Sequence, residues 1–257
     1  MSEIRQPTTS PSLVLTLTSL FRADFIVLIK SRARMIFSIL LPILLLIITN
    51  SKIGIGHFGG SEYIIGLSIA YGLASTSIMG YTVNVARDRE TGVFQLLRCT
   101  PAPAWTIMAS RLAVQTVSNL IIALVVVIVG AQMHHLSLSA NQYVLVLVAS
   151  IIGGAVFLAI GQALVGMVKS ADTVNAAARL VYIGLVALGL FGASGALGST
   201  WESIARWTPV GAVMTVFAGV LNLSAWSGHD SLSLLTCVGY IVVCAAIGIR
   251  WFRWETR

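Results

Sequence analysis

Residues 86–105 read ARDRETGVFQLLRCTPAPAW, four alternating charges and a short apolar run set between two long apolar stretches. The chain is 57% hydrophobic and only 10% charged, whereas a soluble domain has roughly a quarter of its residues charged, so the place of this stretch decides the fold. Arg87, Asp88, Arg89 and Glu90 cannot lie in hydrocarbon, because insertion penalties of ~2.5–3.5 kcal/mol each would sum to about 10 kcal/mol or more. They lie at a water-facing end, and the apolar stretches on either side are separate membrane spans.

Working outward, six stretches approach or reach the ~20 residues needed to cross a bilayer core: 35–55, 63–85, 112–130, 143–168, 180–197 and 232–249. The expected fold is all-α and polytopic, with six transmembrane helices. The first span has the shortest continuous apolar core. Lys52 must reach out to the headgroups if it runs to residue 55, and Pro42 should kink it. With both termini in the cytoplasm, fourteen Lys and Arg residues fall inside and only Lys52 and Arg206 outside, as the positive-inside rule requires. The net charge of +7 then reflects topology and contact with anionic lipid, not nucleic-acid binding.

Residues 13–29 carry apolar side chains at 13, 17, 20, 21, 25 and 28, suiting a helix that lies in the membrane surface. Arg22 and Asp24 would cost about 5 kcal/mol at the centre of a seventh span. The chain therefore divides into a cytoplasmic N-terminus with an interfacial helix (1–34), a six-span domain (35–250) and a cytoplasmic tail (251–257). Between the last two spans, residues 200–223 read as two short re-entrant helices broken at Pro209. Glu202 and Arg206 are an i, i+4 pair in the favourable order, and Val213, Val216, Phe217, Val220 and Leu221 form one apolar face.

No pattern in the chain points to catalysis. His57, His134, His135 and His229 fall in external loops, there is no His-Glu-x-x-His or Gly-x-Ser-x-Gly motif, and none of the lysines follows a glycine as a phosphate-binding loop requires. No metal or cofactor site is expected. Gln115 and Asn119, four apart on the third span, and Gln162 in the fourth have two readings: a substrate path, or hydrogen bonds between helices.

The segment from residue 87 to about 100 remains. Val93, Phe94, Leu96 and Leu97 form an apolar stripe, and Thr100 and Pro101 end the helix. A two-turn helix is unstable alone in water and needs a docking surface. Asp88 and Glu90 would be repelled by anionic lipid, so mixed charge favours a protein surface.

This segment resembles the cytoplasmic stretch after the second span in membrane subunits of ABC type-2 exporters, the multidrug and daunorubicin-resistance-like permeases. SRARMIFSILLPILLLII resembles that family's first span, KSADTVNAAARL its link between the fourth and fifth spans, and WESIARWTPVGAVMTVFAGVL its re-entrant pair. The sequence departs from the family where Gly92 is followed by Val93, Phe94 and Gln95 rather than by Thr and an acid.

The resemblance implies a permease subunit in a bacterial inner membrane, paired with a second permease and with two separate ABC ATPase subunits that bind ATP and Mg. A coupling helix, including Arg87, Asp88, Arg89, Glu90, Thr91, Gly92, Val93, Phe94, Leu96, Leu97, Thr100 and Pro101, would dock on the ATPase, with Arg87 and Arg89 anchoring to its acids or to lipid phosphate. Glu202, Arg206 and Pro209 would belong to a re-entrant gate. The expected cargo is a small amphipathic drug-like molecule or lipid. A polysaccharide-exporting relative and a non-transporting scaffold or sensor subunit are the alternatives.

Overall fold

The computed structural model describes residues 13–30, 32–50, 60–93, 104–168, 170–194 and 198–251. Among them every regular element is helical. Helix α1 spans Leu13–Lys30 and α2 spans Arg32–Asn50. A long helix follows in three parts: α3 (Ser61–Ala74), a π-wound segment (Ser75–Thr82) and α4 (Val83–Glu90). Then come α5 (Ala104–Met133), α6 (Ala140–Met167) and α7 (Ala171–Ser194). The short helices α8 (Ser199–Trp207) and α9 (Pro209–Leu221) precede α10 (Gly228–Trp251).

Five of these are long and apolar enough to cross a membrane: Ser61–Glu90, Thr106–Met133, Ala140–Met167, Ala171–Gly192 and Gly228–Trp251. The protein is an all-α polytopic membrane protein. The expected first span falls on α2, whose apolar stretch among the described residues, Ser38–Ile48, is shorter; residues 51–55 of that expectation lie outside the described residues. Pro42 is inside α2, as expected. The charged run is not a separate element. Residues 87–90 are the last turn of the helix that forms the second span.

The re-entrant pair takes its break from local chemistry. Thr208 is extended; its hydroxyl donates to the Ala205 carbonyl at 2.6 Å and accepts from the Gly211 amide at 3.2 Å, while Pro209 occupies the first helical position of α9. A proline there loses no helical hydrogen bond, since that amide has no partner within a helix anyway. The expectation of one apolar face on α9 is corrected: every residue from Val210 to Leu221 is buried, because α3, α6, α7 and α10 pack against it. Leu67, Leu73, Phe157, Val213 and Phe217 belong to the core around it. A helix apolar on all sides is stable only when enclosed in this way. The outward faces of α7 and α10 are apolar too, with Leu180, Ile183, Leu235 and Ile249 exposed, as suits contact with lipid or another membrane subunit.

Helix ends meet in two layers. At one, here called the basic end, the termini of α4 and α6 and the beginnings of α5 and α7 share a small core containing Val85, Ala86, Ile107, Val165 and Val174, with Leu20 of α1 against it. At the other, the Gln142 side chain donates to the Leu221 carbonyl at 2.8 Å. Asn222 reaches Glu62 there at 3.5 Å.

Candidate functional site

The basic end concentrates the charges of the opening stretch. Successive helical residues point about 100° apart, so the four charges of α4 divide among different surroundings. Arg87 and Glu90 are exposed. Asp88 forms an ion pair with Arg111 of α5. Arg89 is only 5% exposed, its Nη1 donating to the Val165 carbonyl at 2.7 Å and its Nη2 to the Val168 carbonyl at 2.6 Å. The final carbonyls of a helix have no partner within it, and a planar guanidinium can serve two of them at once. Arg89 thus caps the end of α6. One layer further out, Ser110 of α5 donates to the Asp24 carboxylate of α1 at 2.7 Å, which binds the surface helix to the bundle.

These contacts correct the expectation that Arg89 anchors to an external acid or lipid phosphate: its charge is directed inward, because buried helix-end carbonyls need a donor there. Asp88 likewise contributes to the fold through Arg111. The mixed charge of the stretch is therefore partly internal pairing, and its outward-facing part is Arg87 and Glu90.

Helix α4 stops at a defined turn. The Thr91 amide donates to the Arg87 carbonyl at 2.8 Å and the Gly92 amide to Arg89 at 3.4 Å. Gly92 has φ +73°, the left-handed conformation that ends many helices and that only glycine adopts without steric cost. Thr91 is exposed, and Val93 is half-buried and begins the next helical stretch. Phe94, Leu96, Leu97, Thr100 and Pro101 lie outside the described residues.

The interior amides are taken up in helix-to-helix contacts. Asn119 is 1% exposed; its Oδ1 accepts from Thr76 at 2.7 Å and from Gln115 at 3.2 Å, and its Nδ2 donates to Ser77 at 3.3 Å. Gln162 donates to the Tyr81 hydroxyl at 2.6 Å. Of the two readings open for Gln115, Asn119 and Gln162, the structure places all three in hydrogen bonds, those of Asn119 and Gln162 joining neighbouring helices. The sequence did not point to the partners on the second span, since a π-wound turn carries them. Thr82 marks it with a hydroxyl donating to the carbonyl five residues back, Ser77, at 2.9 Å. Such turns are rare and often sit at functional positions.

At the opposite end, Arg206 and Trp207 are exposed and Pro209 is half-buried. The side chain of Glu202 lies outside what is described. A cavity of about 460 Å³ beside them is lined by Tyr63, Arg206, Trp207, Thr215, Asp230 and Ser233, among others. Asp230 is held in place by accepting from the Ser227 amide at 2.7 Å and the Ser227 hydroxyl at 2.9 Å, a capping arrangement for α10. His134, after α5, has its basicity lowered, chiefly by burial and secondarily by His135, with Glu62 opposing.

Comparison with known proteins bears on what this arrangement does. A family described as "ABC-2 family transporter protein" matches residues 56–250. A relative from Bacillus subtilis (strain 168), described as "Putative transport permease YvfS", is 23% identical over a region covering 58% of this chain and 60% of the relative. The matched region thus spans about three fifths of that relative's length.

Proposed function

The chain belongs to the ABC-2 family of transporter proteins, and from that premise we propose that it is the membrane permease subunit of an ATP-driven exporter, coupled to a separate ATPase through the turn that follows α4. The observation that carries this reading is the split of charge on α4. Asp88 and Arg89 tie the helix end to its neighbours, while Arg87, Glu90 and Thr91 face outward. A partner gripping the outward residues would act on a helix end that is already braced.

In this reading the segment from 87 to about 100 is the coupling helix. The ATPase pair binds ATP and Mg, a second permease completes the membrane part, and both termini face the cytoplasm of a bacterial cell. Residues 1–34, 35–250 and 251–257 are the N-terminal, six-span and tail regions. Closure of the ATPases would switch the bundle between two packings, with α8, α9 and Pro209 as the outer gate. An amphipathic drug-like molecule or lipid fits the apolar faces of the helices as cargo.

Glu90→Lys tests the docking surface. It reverses an exposed charge and leaves the Arg89 and Asp88 contacts in place, so the subunit should insert normally but lose most of its ATPase on purification. Retention of the ATPase at the wild-type level would remove Glu90 from the interface.

A further inference from the structure

We propose that Arg89 is the positioning residue that locks the inner ends of the second, third and fourth spans into one body, so that a push on the Thr91–Gly92 turn moves α4, α5 and α6 together. The inference rests on the reading that this turn is where a partner pushes.

The seam between the second and fourth spans shows why one side chain can do this. The two helices run parallel in a fixed register. Thr82 lies against Gly161, where a Cβ would collide with the Thr82 hydroxyl, and Arg89 meets the Val168 carbonyl; both steps advance seven residues, about two helical turns. The Tyr81–Gln162 hydrogen bond lies beside the first contact. The seam is therefore pinned at two levels, and Arg89 is the lower one.

Val168 has left the helix, with φ −108° and ψ 133°. Arg89 holds one carbonyl inside the last turn of α6 and one just beyond it, fixing the direction in which the chain leaves toward α7. Asp88 extends the same body to α5 through Arg111, and Ser110 extends it to α1 through Asp24. The left-handed Gly92 comes after these ties in the chain. The pivot thus lies on the partner's side of the clamp, and force that passes it enters a braced assembly. Lysine could not substitute, since its compact ammonium lacks the rigid fork that reaches two carbonyls.

The test is an electron paramagnetic resonance distance measurement on the full chain, purified with its ATPase in lipid nanodiscs. Nitroxides are placed at Arg22→Cys and Met167→Cys, both exposed sites on α1 and α6, with Cys99, Cys237 and Cys244 replaced by alanine. With Arg89 intact, the distribution should be narrow and the same with or without ATP, Mg and vanadate. Arg89→Ala should broaden it and make it shift on nucleotide addition by more than the wild-type width, and Arg89→Lys should fall between. A merely structural role would broaden the distribution without creating a response to nucleotide. The proposal is overturned if the distance in the parent protein shifts with nucleotide, or if Arg89→Ala stays as narrow and as unresponsive as the parent. If the parent protein retains no ATPase, the docking reading fails, while the nucleotide-free comparison of Arg89→Ala with the parent still decides the clamp: an unchanged width overturns it and a broadened one supports it.

Discussion

Thr76 and Asn119 are joined across the second and third spans by a hydrogen bond of 2.7 Å between hydroxyl and amide oxygen, in a position buried from both sides. Asn119 also serves Gln115 and Ser77. Asn119→Ala removes all three contacts and should destabilise the protein by about 1–2 kcal/mol, the upper part of the range for polar contacts between membrane helices. Thermal unfolding in detergent measures this. An unchanged midpoint would mean that the cluster contributes no net stability.

Gly161 faces the Thr82 hydroxyl so closely that a methyl group cannot be placed there without displacement. Gly161→Ala should cost roughly 1–3 kcal/mol, as overpacking does elsewhere. Thr82→Ala removes the obstructing oxygen, so the double variant should recover much of that loss. If the double variant is no more stable than Gly161→Ala, the clash is not the cause.

Gly92 ends α4 with a positive φ. Gly92→Ala should cost about 1–2 kcal/mol of local stability, the penalty for a Cβ in that conformation, and should weaken ATPase retention more than a change at exposed Thr173 of α7. Asparagine, which tolerates the conformation better, should be milder than alanine. Equal retention in all variants would separate the turn from docking.

The location of these features was legible in the sequence to different degrees, for physical reasons. The spans follow from composition alone, and the break at Pro209 follows from a Thr-Pro pair whose chemistry is local. The complete burial of α9 and the inward turn of Arg89 were not legible. Both depend on which neighbours surround a helix, and a helical wheel gives a direction without saying what lies there. The π-wound segment was hidden as well: its Ser, Thr and Gly residues at 75–77, 80 and 82 also suit an ordinary close-packed helix. The one sequence signal that could have assigned Arg89 is its placement directly after Asp88, which puts two opposite charges on adjacent faces where two different partners can meet them.

His134 binds protons less readily in the folded protein than in the unfolded chain, chiefly because it is buried. The unfolded state therefore takes up a proton first as pH falls. Stability should be fully present above the ordinary imidazole range and decline as pH drops from there toward the lowered folded value. His134→Gln should flatten this part of the profile in unfolding experiments run across mildly acidic pH. A decline of equal steepness in the variant would assign the effect to another group.

The central claim, that the turn after the second span is the handle for a separate ATPase, is tested most directly by placing a photoreactive amino acid at Glu90 and irradiating the assembled complex. The account predicts a covalent adduct with the ATPase subunit from position 90 and none from Ile183 on the outward face of α7. An adduct with lipid alone from position 90, in a complex that still contains and uses its ATPase, would contradict it.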